Sequence, residues 1–118
     1  MLEIVEQSGN LIHIRGVGEI TANDYETVLI PAVEDTLKHH DKLKMIYELG
    51  PEMTGLSPGA AWEDTKVGMS HLTQFEKIAM VTDHHWLVNM VKAFSFLVPC
   101  PVKVFAPNQV QEAKDWMN

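Results

Sequence analysis

Six histidines, one cysteine and an adjacent carboxylate pair are the side chains here whose types could do chemistry. His39-His40 and His84-His85 are adjacent in sequence. Neighbours on a helix point about 100° apart, so neither pair forms the two-ligand face that i, i+4 histidines make. His71 follows Asp64 by two helical turns, too far for shared coordination. Structural or solvated histidines are expected, and no metal. Cys100 lies between Pro99 and Pro101, with no histidine or acid pattern that would make it a nucleophile; it reads as a small buried side chain. Glu63-Asp64 has the chemistry of a general acid and base. The pair also reads as standing in the first helical turn after Ser57-Pro58, where acids favour the dipole. Gly16-Val17-Gly18 follows a strand, but Thr21 stands where a dinucleotide fingerprint needs its third glycine, and no Gly-Lys-Ser/Thr phosphate loop is present. With no nucleophile, metal cluster or phosphate loop, the residues favour binding over catalysis, and no cofactor is expected. Catalysis by Glu63, Asp64 and His71 is the least supported reading.

The elements that must position these residues are legible. Leu2 to Glu6 and Leu11 to Val17 read as strands. Ser8-Gly9-Asn10 between them supplies the positive φ of a tight hairpin. Thr21 to His40 reads as a helix, with Thr21 as N-cap, Asp24 as the acid of a capping box, and Tyr25, Val28, Leu29, Ala32, Val33 and Leu37 at helical spacing. Pro31 should kink or divide it near Val28. Leu43 to Leu49 is a strand. Gly50 to Gly59 holds two prolines and three glycines, which predicts a loop. Ser57-Pro58 is then a helix start, N-cap followed by N1, for a helix running to about Gln74. Lys77 to Thr82 is a strand, Asp83 caps a helix from Trp86 to about Val98, Val102 to Phe105 is the last strand, and Asn108 caps a terminal helix through Trp116. Helices between successive strands imply parallel pairing. The expected fold is α/β: a mixed five-stranded sheet with four main helices.

Two features exceed what such a domain needs. On the helix from Trp86, apolar residues including Met90 and Phe94 cover an arc of roughly 160°, where packing on one sheet face needs roughly 100°. The surplus must meet another helix, a subunit, a ligand or a membrane surface. The second feature is the Gly50–Ser57 loop with its helix. It leaves the carboxyl end of a parallel strand, where open α/β sheets bind ligands. Met53 and Leu56 look exposed on the loop. Trp62, Thr65, Met69 and Leu72 form a stripe on the helix, and Gly68 loosens it. A mobile lid is expected. The two helices would flank a cleft lined by Met53, Leu56, Trp62, Thr65, Met69, Leu72, Trp86, Met90 and Phe94.

The chain has 118 residues, the size of a single domain spanning 1–118. Apolar residues make up 46%, which argues against disorder. Sixteen acids against nine bases give a charge of −7. That repels phosphate backbones, so no nucleic-acid partner is expected, and it offers no polybasic attraction to anionic lipid. One cysteine cannot form an internal disulfide, which favours a reducing cytoplasm. The amino-terminal residues Met1-Leu2-Glu3-Ile4 do not read as a signal peptide, and no stretch approaches the roughly 18 apolar residues of a membrane span.

The run Trp62-Glu63-Asp64-Thr65-Lys66-Val67-Gly68-Met69-Ser70-His71-Leu72, then Phe75-Glu76-Lys77-Ile78-Ala79-Met80-Val81-Thr82-Asp83 and Trp86, resembles the SpoIIAA-like family of small bacterial proteins. Thr21-Ala22-Asn23-Asp24-Tyr25, Val102-Lys103-Val104-Phe105 and Glu112-Ala113-Trp116 fit as well. The family belongs to the wider STAS group (sulfate transporter and anti-sigma factor antagonist domains). The resemblance implies a β-α superhelix and a non-enzymatic binding or regulatory module. In anti-sigma factor antagonists a serine at the start of the equivalent helix is phosphorylated. The matching positions here are Ser57 and, less closely, Thr54, neither in the Asp-Ser-Ser/Thr-Gly motif those proteins carry. The outline is also similar to lipid-binding CRAL-TRIO domains. The leading expectation is therefore a module for an apolar or amphipathic small molecule, or for peripheral attachment to a membrane surface through a mobile helix 58–74. A STAS-type switch with a protein partner is the alternative, and a homodimer is allowed.

Overall fold

A computed structural model describes all residues from Met1 to Asn118. Strands β1 (Leu2–Ser8) and β2 (Leu11–Gly16) form the antiparallel hairpin, and Gly9 takes the turn's positive φ of 56°. Strands β4 (Leu43–Leu49), β6 (Phe75–Thr82) and β7 (Val102–Phe105) follow β2 in parallel, giving the order β1-β2-β4-β6-β7. Each parallel step moves one strand in the same direction, so right-handed crossovers place every connecting helix on one face. The larger core bears this out. It joins Ile12, Ile14, Met45 and Tyr47 of the sheet to Tyr25, Leu29 and Val33 of the first helical stretch, Ala60 of the next helix and Leu87 of the one after. On the other face α5 (Val110–Trp116), with Met117 just beyond it, covers Ile46, Ala79, Val81 and Phe105.

The first helical stretch begins as expected. Thr21 caps α1 (Ala22–Asp24), and Asp24 returns a bond of 2.8 Å from its carboxylate to the Thr21 N–H. The chain then widens into a π-helical segment, Tyr25–Leu29, where Ile30 N–H bonds Tyr25 C=O, before α2 (Ile30–His39). Pro31 stands at the start of α2. The expected disturbance is thus a wider turn immediately before the proline, which gives its ring room in the preceding backbone.

The expected loop Gly50 to Gly59 contains a strand. β5 (Met53–Leu56) pairs in parallel with β3 (Gly18–Ile20) as a separate two-stranded sheet. Gly18 at φ 66° turns the chain out of β2 into β3. Gly55 has no atom within 4 Å of where a Cβ would lie, so a glycine here does not preclude extended backbone. Two further corrections concern caps. Asp83 does not cap α4 (His85–Phe94); His84 holds that position, and Thr82 Oγ1 accepts its N–H. Asn108 lies within a 3₁₀ turn (Pro107–Gln109) instead of capping α5; Gln109 Oε1 accepts the Ala106 N–H there.

Candidate functional site

The helix after β5 is α3 (Pro58–Ser70), shorter than the sequence pattern predicts. Ser57 caps it, its hydroxyl accepting the Ala60 N–H at 3.0 Å, with Pro58 at the first helical position. Only Ala60 and Glu63 of this helix are buried. Its large apolar side chains point the other way: Trp62 is 62% and Met69 70% exposed. This reverses the usual arrangement of a surface helix, in which the apolar stripe faces the core. Thr65 is also exposed and bonds the Ala61 carbonyl. Leu72 lies beyond the helix in the turn before β6, half-buried, and does not continue the stripe. Leu56 is half-buried against the core. Met53 corrects the expectation outright: it is 1% exposed, because β5 turns it into the main core.

α4 buries Leu87 alone, while Trp86, Met90 and Phe94, spaced one turn apart, stand 42%, 45% and 56% exposed. The helix stops at Phe94, earlier than expected, and a 3₁₀ turn (Ser95–Leu97) follows, carrying Phe96 and Leu97 outward. No other part of the chain covers this stripe.

Tyr25, Tyr47 and Asp64 form a polar chain between the core and α3. The buried hydroxyls of Tyr25 and Tyr47 bond each other, and Tyr25 donates its proton to Asp64 Oδ1 at 3.0 Å. Tyr47 must therefore be the donor to Tyr25. Burial holds both phenols well above their ordinary range, with the neighbouring Asp64 charge acting the same way, so both remain protonated donors. Crowding by protein raises the Asp64 carboxyl, and the Tyr25 hydrogen bond opposes this. Asp64 is an exposed residue, so water screens its charge. The sequence hid this chain because two tyrosines in apolar-periodic positions read as core. The available signal was that buried phenols require partners.

The groups a catalytic reading would use are each engaged separately. Glu63 pairs with Lys66 at 2.9 Å, Asp64 with Tyr25, and His71 Nδ1 with Gln74 Oε1 at 2.7 Å. His84 Nε2 donates to the Gly50 carbonyl at 2.9 Å, tying the start of α4 to the end of β4. His13, buried on the opposite sheet face, donates from Nε2 to Glu48 at 2.8 Å, and its Nδ1 has no partner. Cys100 is half-buried, and burial pushes its thiol up, away from a reactive thiolate. No three metal-ligating side chains converge. Ser57 is half-buried and Thr54 exposed. An open depression of about 480 Å³ lies elsewhere, between β1 and the first helical stretch.

Residues 11–118 match the SpoIIAA-like family. The chain belongs to that family. A crystal structure described as an uncharacterized protein from the DUF3478 family with a SpoIIAA-like fold, from Shewanella loihica PV-4, is similar over 99% of this chain and 94% of its own. The TM-score is 0.78 and the identity 25%. No curated protein matches. The SpoIIAA-like chain is a STAS-type module, of a kind generally non-enzymatic. No helix in it is long and apolar enough to cross a membrane.

Proposed function

We propose that the chain is a non-enzymatic binding module that takes an apolar or lipid-like partner, or a membrane surface, on the exposed sides of α3 and α4. The observation that carries this reading is the uncovered stripe Trp86, Met90, Phe94, continued by Phe96 at 80% and Leu97 at 55% exposure. Contiguous apolar surface of this kind marks an interaction site. Between Asp83 and Glu112 there is no carboxylate, only Lys92 and Lys103, so this stretch of sequence adds no negative charge of its own to oppose a bilayer. Tryptophan suits the interface, where one end of the ring is wet. Helix α3 contributes Trp62 and Met69, and its shallow seat fits a helix that moves when a partner arrives. Titrating the protein with phosphatidylglycerol vesicles should blue-shift tryptophan emission, and Trp86→Ser should reduce the shift. Unchanged emission up to millimolar lipid would count against the membrane reading.

The alternative is a STAS-type interaction module with a protein partner, its docking face including the start of α3. A phosphate on Ser57 would sit at a helix N-terminus, which is locally favourable, but it would displace the hydroxyl from the Ala60 N–H. Pull-downs with the wild type and Ser57→Asp should differ if Ser57 is a switch. Identical partner sets would argue against it.

A further inference from the structure

The Tyr47–Tyr25–Asp64 chain has the form of a binding site already occupied from within. Two buried hydroxyls point in series toward one acceptor position, the second polarised by the first. The occupant of that position is not part of the core. Asp64 stands on α3, is exposed, and makes the only side-chain hydrogen bond from that helix to another element. Apart from it, α3 buries only Ala60 and Glu63, and Glu63 is held by Lys66 of the same helix. The acceptor position lies beside β4, the middle strand of the five-stranded sheet, under a helix whose outer side is apolar.

We infer that Tyr25 and Tyr47 form the head-group end of the ligand site, and that the Asp64 carboxylate is an internal stand-in for the carboxylate of an amphipathic acid. The inference rests on the apolar-ligand reading above and names the ligand's polar end. When α3 lifts, Asp64 withdraws and the Tyr25 hydroxyl is left as an unpaired donor in a largely apolar setting, a costly state unless an acceptor replaces it. A ligand carboxylate restores the bond and exchanges one negative charge for another, so the nearby Asp24 meets no added charge. The ligand's chain would follow the space α3 vacates.

Decanoate and decanol, matched in chain and different in head group, test this by titration against tryptophan emission below their micellar concentrations. The wild type should bind decanoate at least tenfold more tightly than decanol. Tyr25→Phe should abolish that preference. Asp64→Ala, which removes the internal competitor, should tighten decanoate binding, whereas a merely structural role for Asp64 would weaken it or leave it alone. Equal affinity for both amphiphiles, or decanoate binding by Asp64→Ala that is weaker or unchanged, overturns the inference while the apolar-ligand reading stands. Binding of neither would remove both for small ligands and leave only the membrane surface. If Tyr25→Phe fails to fold, the head-group preference and Asp64→Ala still decide.

Discussion

Asp24 is the residue where a charge does a defined structural job. It receives the Thr21 N–H and hydroxyl and faces Thr21 across the start of α1. Burial raises its carboxyl, but these hydrogen bonds and a nearby positive charge outweigh that, and the group ends below its ordinary value. A carboxyl lowered in the folded state contributes stability above its unfolded pKa of about 3.9, and that contribution is lost as pH falls through the folded value. Asp24→Asn should therefore cost about 1 kcal/mol in urea denaturation at pH 7, and the difference should shrink toward pH 3. A constant difference at both pH values would assign the effect to shape instead of charge. Gly16 makes an opposite kind of demand. A Cβ there would meet Leu49 Cδ2 at 2.6 Å and Ile20 Cδ1 at 3.0 Å, so Gly16→Ala should destabilise by about 1–3 kcal/mol through overpacking. Unchanged stability would mean those two side chains yield freely. Neither the crowding at Gly16 nor the Tyr25–Asp64 bond was legible in the sequence, because both join residues brought together only by the fold.

Elements whose signals are local were read well. The capping box at Thr21, the glycine turn at Gly9 and the Ser57-Pro58 helix start are each set by a few neighbouring residues, and each is present. The hidden elements depend on distant partners. β5 exists because β3 lies beside it: Gly18 N–H bonds Glu52 C=O at 2.8 Å, and Ser57 N–H bonds Ile20 C=O at 2.9 Å. Composition alone, rich in glycine and proline, pointed to a loop and to an exposed Met53. The strand makes a prediction that a free loop would not share. Gly55 has negative or extended φ and open space at its Cβ. Gly55→Ala should therefore stabilise by about 0.4–1 kcal/mol by restricting the unfolded chain. A loss of stability in thermal melts would show that β5 needs glycine after all. For the candidate site, the exposed stripe of α4 was legible from helical period, since eight apolar positions exceeded one buried face. The reversal of α3 was not, because Glu63 inward and Trp62 outward is set by packing on α1 and the π-helical segment, and the helix itself has little amphipathic pattern.

At the scale of the molecule, four connecting helical elements lie on one sheet face and α5 on the other, so the sheet is covered on both sides. The apolar groups of α4 and the turn after it are surplus to that construction. None of Trp86, Met90, Phe94 or Phe96 is a buried core residue, and Phe96 is 80% exposed. Their exposure is accounted for if that face meets an apolar surface. The direct measurement is vesicle flotation with phosphatidylglycerol and with phosphatidylcholine, comparing the wild type with Trp86→Ser/Phe96→Ser of equal thermal stability. The account predicts that the wild type floats with the vesicles and that the double variant stays at the bottom of the gradient. Equal flotation of both proteins, or none by the wild type on either lipid, would contradict it.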